Sequence, residues 1–183
     1  ALVLDFAENE LRTIFKGSSV CIGSRDITPG ALVFRDINIT TKGQQFLKIK
    51  EFRLNFTAPS LLMDHVAEFS IQETILYAKL KIPEIRGLAK YAKGALSLDN
   101  MFIHILSGIA EGSAMIKPGK TPYYSATLKL KDIQLGKMVE AFELNNKIDV
   151  TGIVSGSLEL SGKGFVFTEL KGKLDASPEG GTL

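Results

Sequence analysis

The chain has 183 residues, of which 45% are hydrophobic and 23% charged, enough apolar side chain to bury and too little charge for a disordered tail. Its 22 Lys and Arg are scattered among 20 Asp and Glu instead of forming blocks that track a phosphate backbone, which argues against a nucleic-acid partner. A single cysteine, Cys21, excludes an internal disulfide and every multi-cysteine metal site.

No stretch reaches the roughly 18 uncharged apolar residues of a membrane span, and Ala1-Leu2-Val3-Leu4-Asp5 lacks the basic and apolar regions of a signal peptide. The opening without Met and the ending on Gly180-Gly181-Thr182-Leu183 suggest one elongated segment, 1–183, of a longer protein.

The first expected element is a helix over 5–15, within an amino-terminal 1–17 unit, where Phe6, Leu11, Ile14 and Phe15 recur near helical spacing behind Asp5 as a cap. Period-two alternation then dominates and predicts a β-meander over 18–134. It starts with Ser19-Val20-Cys21-Ile22, where Cys21 reads as a small buried hydrophobe, and continues through 32–39. In 45–57, Leu47 and Ile49 share one parity and Phe52, Leu54 and Phe56 the other, which predicts a β-bulge near Lys50-Glu51.

A short helical turn is expected at 59–63, followed by strands over 66–71 and 74–82, the second closed by Pro83. The stretch 85–93 is ambiguous. The stretch 95–106 reads as one strand with a second bulge near Asp99-Asn100. A strand over 113–117 precedes a Pro118-Gly119 turn, and Tyr124, Ala126, Leu128 and Leu130 then alternate along 123–131. A short helix is expected over 135–145, with Met138, Val139 and Phe142 toward the sheet and Glu140 and Glu143 toward solvent. Carboxyl-terminal strands fill 146–183, at 148–151, 153–160 and 164–175.

Long strands joined by short turns favour antiparallel pairing, since parallel neighbours need crossovers of a dozen or more residues. The expected class is mainly β: a long antiparallel sheet, strongly twisted and curved, with one or two short helices, eased into its bend by glycines such as Gly152, Gly156 and Gly172.

Catalytic chemistry finds no foothold. His65 and His104 are the only histidines and do not fall in a ligand spacing such as HExxH, so both read as structural. Gly152-Ile153-Val154-Ser155-Gly156 and Gly162-Lys163-Gly164 lack the Gly-Lys-Ser/Thr of a phosphate loop, and no carboxylate pair stands out as acid and base. The chain is therefore expected to be no enzyme and to need no metal or cofactor. Alternation alone leaves open whether the apolar faces close into their own core or line an open, curved sheet that holds a hydrophobic ligand.

Two carboxyl-terminal stretches carry a resemblance. Leu128-Lys129-Leu130-Lys131-Asp132-Ile133-Gln134-Leu135-Gly136-Lys137-Met138-Val139 and Val150-Thr151-Gly152-Ile153-Val154-Ser155-Gly156-Ser157-Leu158-Glu159-Leu160-Ser161-Gly162 are followed by Leu170-Lys171-Gly172-Lys173-Leu174 and Gly180-Gly181. In order these are a strand ending in a short helix, a G-x-x-S/T-G-x-L-x-L-x-G strand, an L-x-G-x-L strand and a Gly-Gly turn. The pattern resembles the repeats of the AsmA-like proteins, which include the TamB and YdbH branches. It is nearest the YdbH branch, whose Pro-Gly-Gly stands here as Pro178-Glu179-Gly180-Gly181. At the amino end, the 5–15 helix leading into Ser19-Val20-Cys21-Ile22 and then Gly30-Ala31-Leu32-Val33-Phe34 is similar to the start of such repeats, so the resemblance covers both ends.

The resemblance implies a curled β-groove in a periplasmic protein anchored to the inner membrane, carrying phospholipid or another acyl-chain lipid toward the outer membrane. Its implied partners are that lipid, adjacent segments of the same chain and envelope proteins. The candidate groove residues are Tyr124, Ala126, Leu128, Leu130, Val154, Leu158, Leu160, Leu170 and Leu174. The alternative is a structural or adhesive β-module whose apolar core is closed and carries no lipid.

Overall fold

The computed structural model describes residues 18–56, 66–119, 121–143, 150–164 and 166–176. The helix expected over 5–15, the helical turn at 59–63 and His65 lie outside these residues, as does part of the expected strand over 148–151. Ten strands follow in chain order: β1 (Ser18–Thr28), β2 (Ala31–Thr41), β3 (Gln44–Asn55), β4 (Val66–Leu76), β5 (Leu80–Ala92), β6 (Ala95–Ile105), β7 (Gly108–Lys117), β8 (Tyr123–Gln134), β9 (Ile153–Lys163) and β10 (Val166–Ala176). One helix, α1 (Leu135–Ala141), separates β8 from β9. The strands form a single open sheet in chain order, each antiparallel to the next. The mainly β, antiparallel fold expected from the alternation is the fold observed.

Tight turns set this topology. Four hairpins turn on two consecutive residues with positive φ: Lys42-Gly43 (52° and 77°), Tyr77-Ala78 (52° and 57°), Lys93-Gly94 (52° and 73°) and Leu106-Ser107 (50° and 63°). Paired left-handed residues match the right-handed twist of the flanking strands, which is why such turns dominate two-residue hairpins. Tyr77-Ala78 carries no glycine or asparagine and has no turn signal in the sequence, while Leu106-Ser107 is marked only by the Gly108 that follows it. The strand expected over 74–82 is accordingly two strands, broken at the 77–78 turn.

Pro83 does not close a strand but lies within β5. It stands opposite Glu73, which has φ +49°, and the β4–β5 ladder passes over this level between the pairs Gln72–Glu84 and Thr74–Ile82. A residue without an N–H is tolerated where the ladder is already interrupted.

That interruption belongs to a line across the sheet. The β1–β2, β2–β3 and β3–β4 ladders skip the level of Gly23, Asp36, Lys50 and Glu73, and Asp36 has φ +54°. Continued through Ile105 and Gly108, the register brings the same level to Asp132 on β8, with φ +56°, where the β8–β9 register shifts. Left-handed residues in a strand bend it and change the parity of the inward side chains. Leu32 and Phe34 thus pack in one cluster with Ile37 and Ile39, and Phe52 with Leu47 and Ile49. The change of parity expected near Lys50-Glu51 falls at this crease, but it is not the expected β-bulge: the β2–β3 and β3–β4 registers are the same on both sides of it, the left-handed residues lie on the flanking strands, and the β2–β3 register shifts instead between Ile39 and Thr40. The bulge expected near Asp99-Asn100 is present: Asn100 has φ +50° and the β6–β7 register shifts between Leu98 and Met101.

The two faces of the sheet differ in chemistry. One carries two apolar clusters, the first built on Val20, Phe34, Ile37 and Ile39, the second on Phe69, Ala89 and Met101, with Phe52 joining both. The other carries ion pairs such as Arg35 Nε to Glu51 Oε2 at 3.0 Å and Arg53 Nε to Glu51 Oε1 at 3.2 Å, with Asp26 bonded to Arg35. Asp26 and then Glu51 hold the Arg35 guanidinium above its usual range.

Helix α1 is shorter than the expected 135–145 span, ending with Phe142 as its carboxyl cap. It is pinned where it starts: Gln134 N–H donates to the Leu106 carbonyl at 3.1 Å and Leu135 N–H to the Gly152 carbonyl at 3.0 Å. Val139 is buried, as expected, and Glu140 and Glu143 are exposed. Met138, expected against the sheet, is instead an exposed side chain. About two turns of helix present only a narrow buried stripe, and Val139 occupies it.

Candidate functional site

The nine residues expected to line a groove lie on three neighbouring strands, and the register aligns them. Ala126 stands opposite Leu160, which stands opposite Leu170; Leu128 opposite Leu158; Leu130 opposite Gly156, which faces Leu174. Tyr124 pairs with Gly162, and Val154 with Ile133 across the shift in β8. Directly opposed residues of an antiparallel pair point to the same side. All nine therefore share one face.

The face extends beyond them. Leu130 and Leu128 stand opposite Ala110 and Gly112 on β7, which face Ile103 and Met101 on β6. Because Gly112 has no side chain, Leu128 packs with the cluster of Phe69, Ala89 and Met101. Strand β7 is missing from the sequence-based candidates because its inward residues from Gly108 through Ala110 and Gly112 to Ala114 are small, and only Ile116, opposite Tyr124, is large. The alternation is there, written in glycine and alanine, and weak as a hydrophobic signal.

Exposure rises along the face toward β10. Phe69, Met101 and Ala110 are buried, Leu128, Leu158 and Leu160 are half-buried, and Leu170 and Leu174 are 67% and 53% exposed. The β10 end thus offers apolar surface to solvent, whereas the β1–β6 end buries much of its own.

A sheet of ten strands twists and coils. The phenol of Tyr124 is held above its usual range first by burial and then by the Tyr77 phenol. Tyr77 lies in the turn after β4 and Tyr124 at the start of β8, at opposite ends of the strands. In a flat sheet, four strand spacings of ~4.8 Å and about twelve residues at ~3.3 Å would keep them more than ~40 Å apart. That the Tyr77 phenol acts on Tyr124 at all agrees with a strongly coiled sheet.

Close backbone approach at glycines accompanies that coiling. A Cβ on Gly112 would stand 1.9 Å from the Thr127 carbonyl oxygen, and one on Gly156 would stand 2.0 Å from that of Lys173.

The other candidate groups are dispersed. Cys21 is exposed, not buried as expected: it sits on the edge strand β1 opposite Asn38, out of step with the inward Val20 and Ile22. His104 is exposed on the polar face, its ring edge-on to Phe102 at 4.9 Å. Among the described residues no group of three or more His, Cys, Asp or Glu side chains is placed to hold a metal ion, and no helix is long and apolar enough to cross a membrane.

No protein-family model, curated protein or solved structure matches the chain.

Proposed function

We propose that the apolar face between β7 and β10 is a trough for the acyl chains of a phospholipid, and that the chain is a non-enzymatic segment of an AsmA-like periplasmic lipid bridge. The observation that supports this most is the registered apolar row of Leu128, Leu158, Leu160, Leu170 and Leu174, which opens to solvent toward β10. An acyl chain of about sixteen carbons left in water costs on the order of 13 kcal/mol at about 0.8 kcal/mol per methylene. A continuous apolar surface offsets most of that cost and needs no reactive group, which agrees with the dispersed histidines, cysteine and carboxylates.

The test is lipid mass spectrometry on the purified protein. Wild type is expected to carry phospholipid, and Leu128→Asp or Leu158→Asp to lose most of it while remaining folded by circular dichroism. Wild type free of lipid, or variants loaded as fully as wild type, would overturn the proposal. A second reading, a structural or adhesive module with a closed apolar core, is favoured by the burial of Phe34, Ile39 and Phe69 at the β1–β6 end. Under that reading the purified protein carries no lipid, and the same two substitutions lower stability alone.

A further inference from the structure

We propose that the cleft between α1 and the turn ends of β5, β6 and β7 is a second binding site for a single-chain amphiphile with an anionic phosphate head. The cleft has a volume of about 950 Å³, within the range of small-molecule sites. Pro83, Ile105 and Ile109 supply apolar wall, and Lys81 and His104 supply hydrogen-bond donors beside it. None of the nine trough candidates lines it, and it does not depend on that reading.

The charge of the lining selects the sign of the ligand. Both carboxylates are already engaged: Glu143 accepts from Lys79 Nζ at 3.0 Å, and Glu140 from Lys137 Nζ at 3.0 Å. The Lys79 pair also ties the helix end to the β4–β5 turn, so these partners are committed to the wall of the cleft. Lys81 has no ion-pair partner among the described residues, which leaves one ammonium uncompensated. An anion is the charge that this lining lacks.

The His104 side is held in place. Arg86 lies over the Phe102 ring at 4.8 Å from its centroid, and the same ring meets His104 edge-on. A guanidinium stacked on an aromatic face restrains both groups. An imidazole N–H on the same lining as the Lys81 ammonium can donate to a phosphate oxygen. The apolar wall explains why a bare anion is a poor fit: Pro83, Ile105 and Ile109 gain only from a ligand that brings apolar surface.

Isothermal titration calorimetry with decyl phosphate, inorganic phosphate and decanol tests the site. Decyl phosphate is expected to bind wild type, with affinity reduced at least tenfold by Lys81→Glu and by Ile109→Asp, kept by Lys81→Arg, and unchanged by Leu158→Asp in the trough. Decyl phosphate failing to bind, or binding Lys81→Glu as tightly as wild type, would overturn the site. So would loss of binding in Leu158→Asp alone, which would move the probe to the trough. Inorganic phosphate binding as tightly as decyl phosphate would overturn the amphiphile. Lys81 is exposed, so its variants keep the fold, and a thermal melt of each establishes that independently.

Discussion

Thr74 stands between Ile49 on β3 and Ile82 on β5, 4% exposed, and its hydroxyl has no hydrogen-bond partner among the described residues. A buried hydroxyl without a partner costs about 1–3 kcal/mol in proteins, and valine fills nearly the same space without that cost. Thr74→Val is expected to raise stability by about 1 kcal/mol, read from the urea midpoint at unchanged slope. An equal or lower midpoint would mean that the hydroxyl finds a partner in solution. Gly112 makes the opposite case. A methyl there would meet the Thr127 carbonyl oxygen at 1.9 Å, and backbone cannot yield as a flexible side chain does. Gly112→Ala is expected to destabilise by about 2–4 kcal/mol, in the range of overpacking and strained sites. Gly119→Ala, with nothing within 4 Å of the added atom, serves as its control.

The hairpins and the crease decide how the strands are used. Ala78 has φ +57° in a turn that glycine adopts without strain. A left-handed alanine costs roughly 1–2 kcal/mol, so Ala78→Gly is expected to stabilise by about 1 kcal/mol after glycine's greater loss of chain entropy. Equilibrium unfolding measures it, and a destabilised variant would show that the turn is not held left-handed. The crease was partly legible: the parity change between Ile49 and Phe52 pointed to a bend near Lys50-Glu51. That Asp36, Glu73 and Asp132 carry the left-handed backbone was not legible, because a bend is shared across a ladder and each strand records only its own change of phase.

Coiling is a property of the whole sheet, and the electrostatic influence of Tyr77 on Tyr124 agrees with it. Burial and Tyr77 make Tyr124 hold its proton more tightly folded than unfolded. Its contribution to stability is thus complete below the ordinary phenol pKa of about 10 and is lost as pH rises through the higher folded value. Tyr124→Phe is expected to lose less stability than wild type above pH ~10, and a tyrosinate absorbance titration should lose its latest phase. Four tyrosines titrating together in wild type would rule out that influence.

By itself the sequence determined that this chain is mainly β and antiparallel, because period-two alternation survives whatever the strands pack against. It also picked nine inward residues on β8, β9 and β10 that share one face, since alternation fixes relative side within a strand. Only the tertiary structure decided that these strands align, that the small residues of β7 continue the face, and that Cys21 points out at an edge. Those outcomes depend on register between strands and on the coil of the sheet, set by hairpins such as Tyr77-Ala78 whose residues carry no local turn signal.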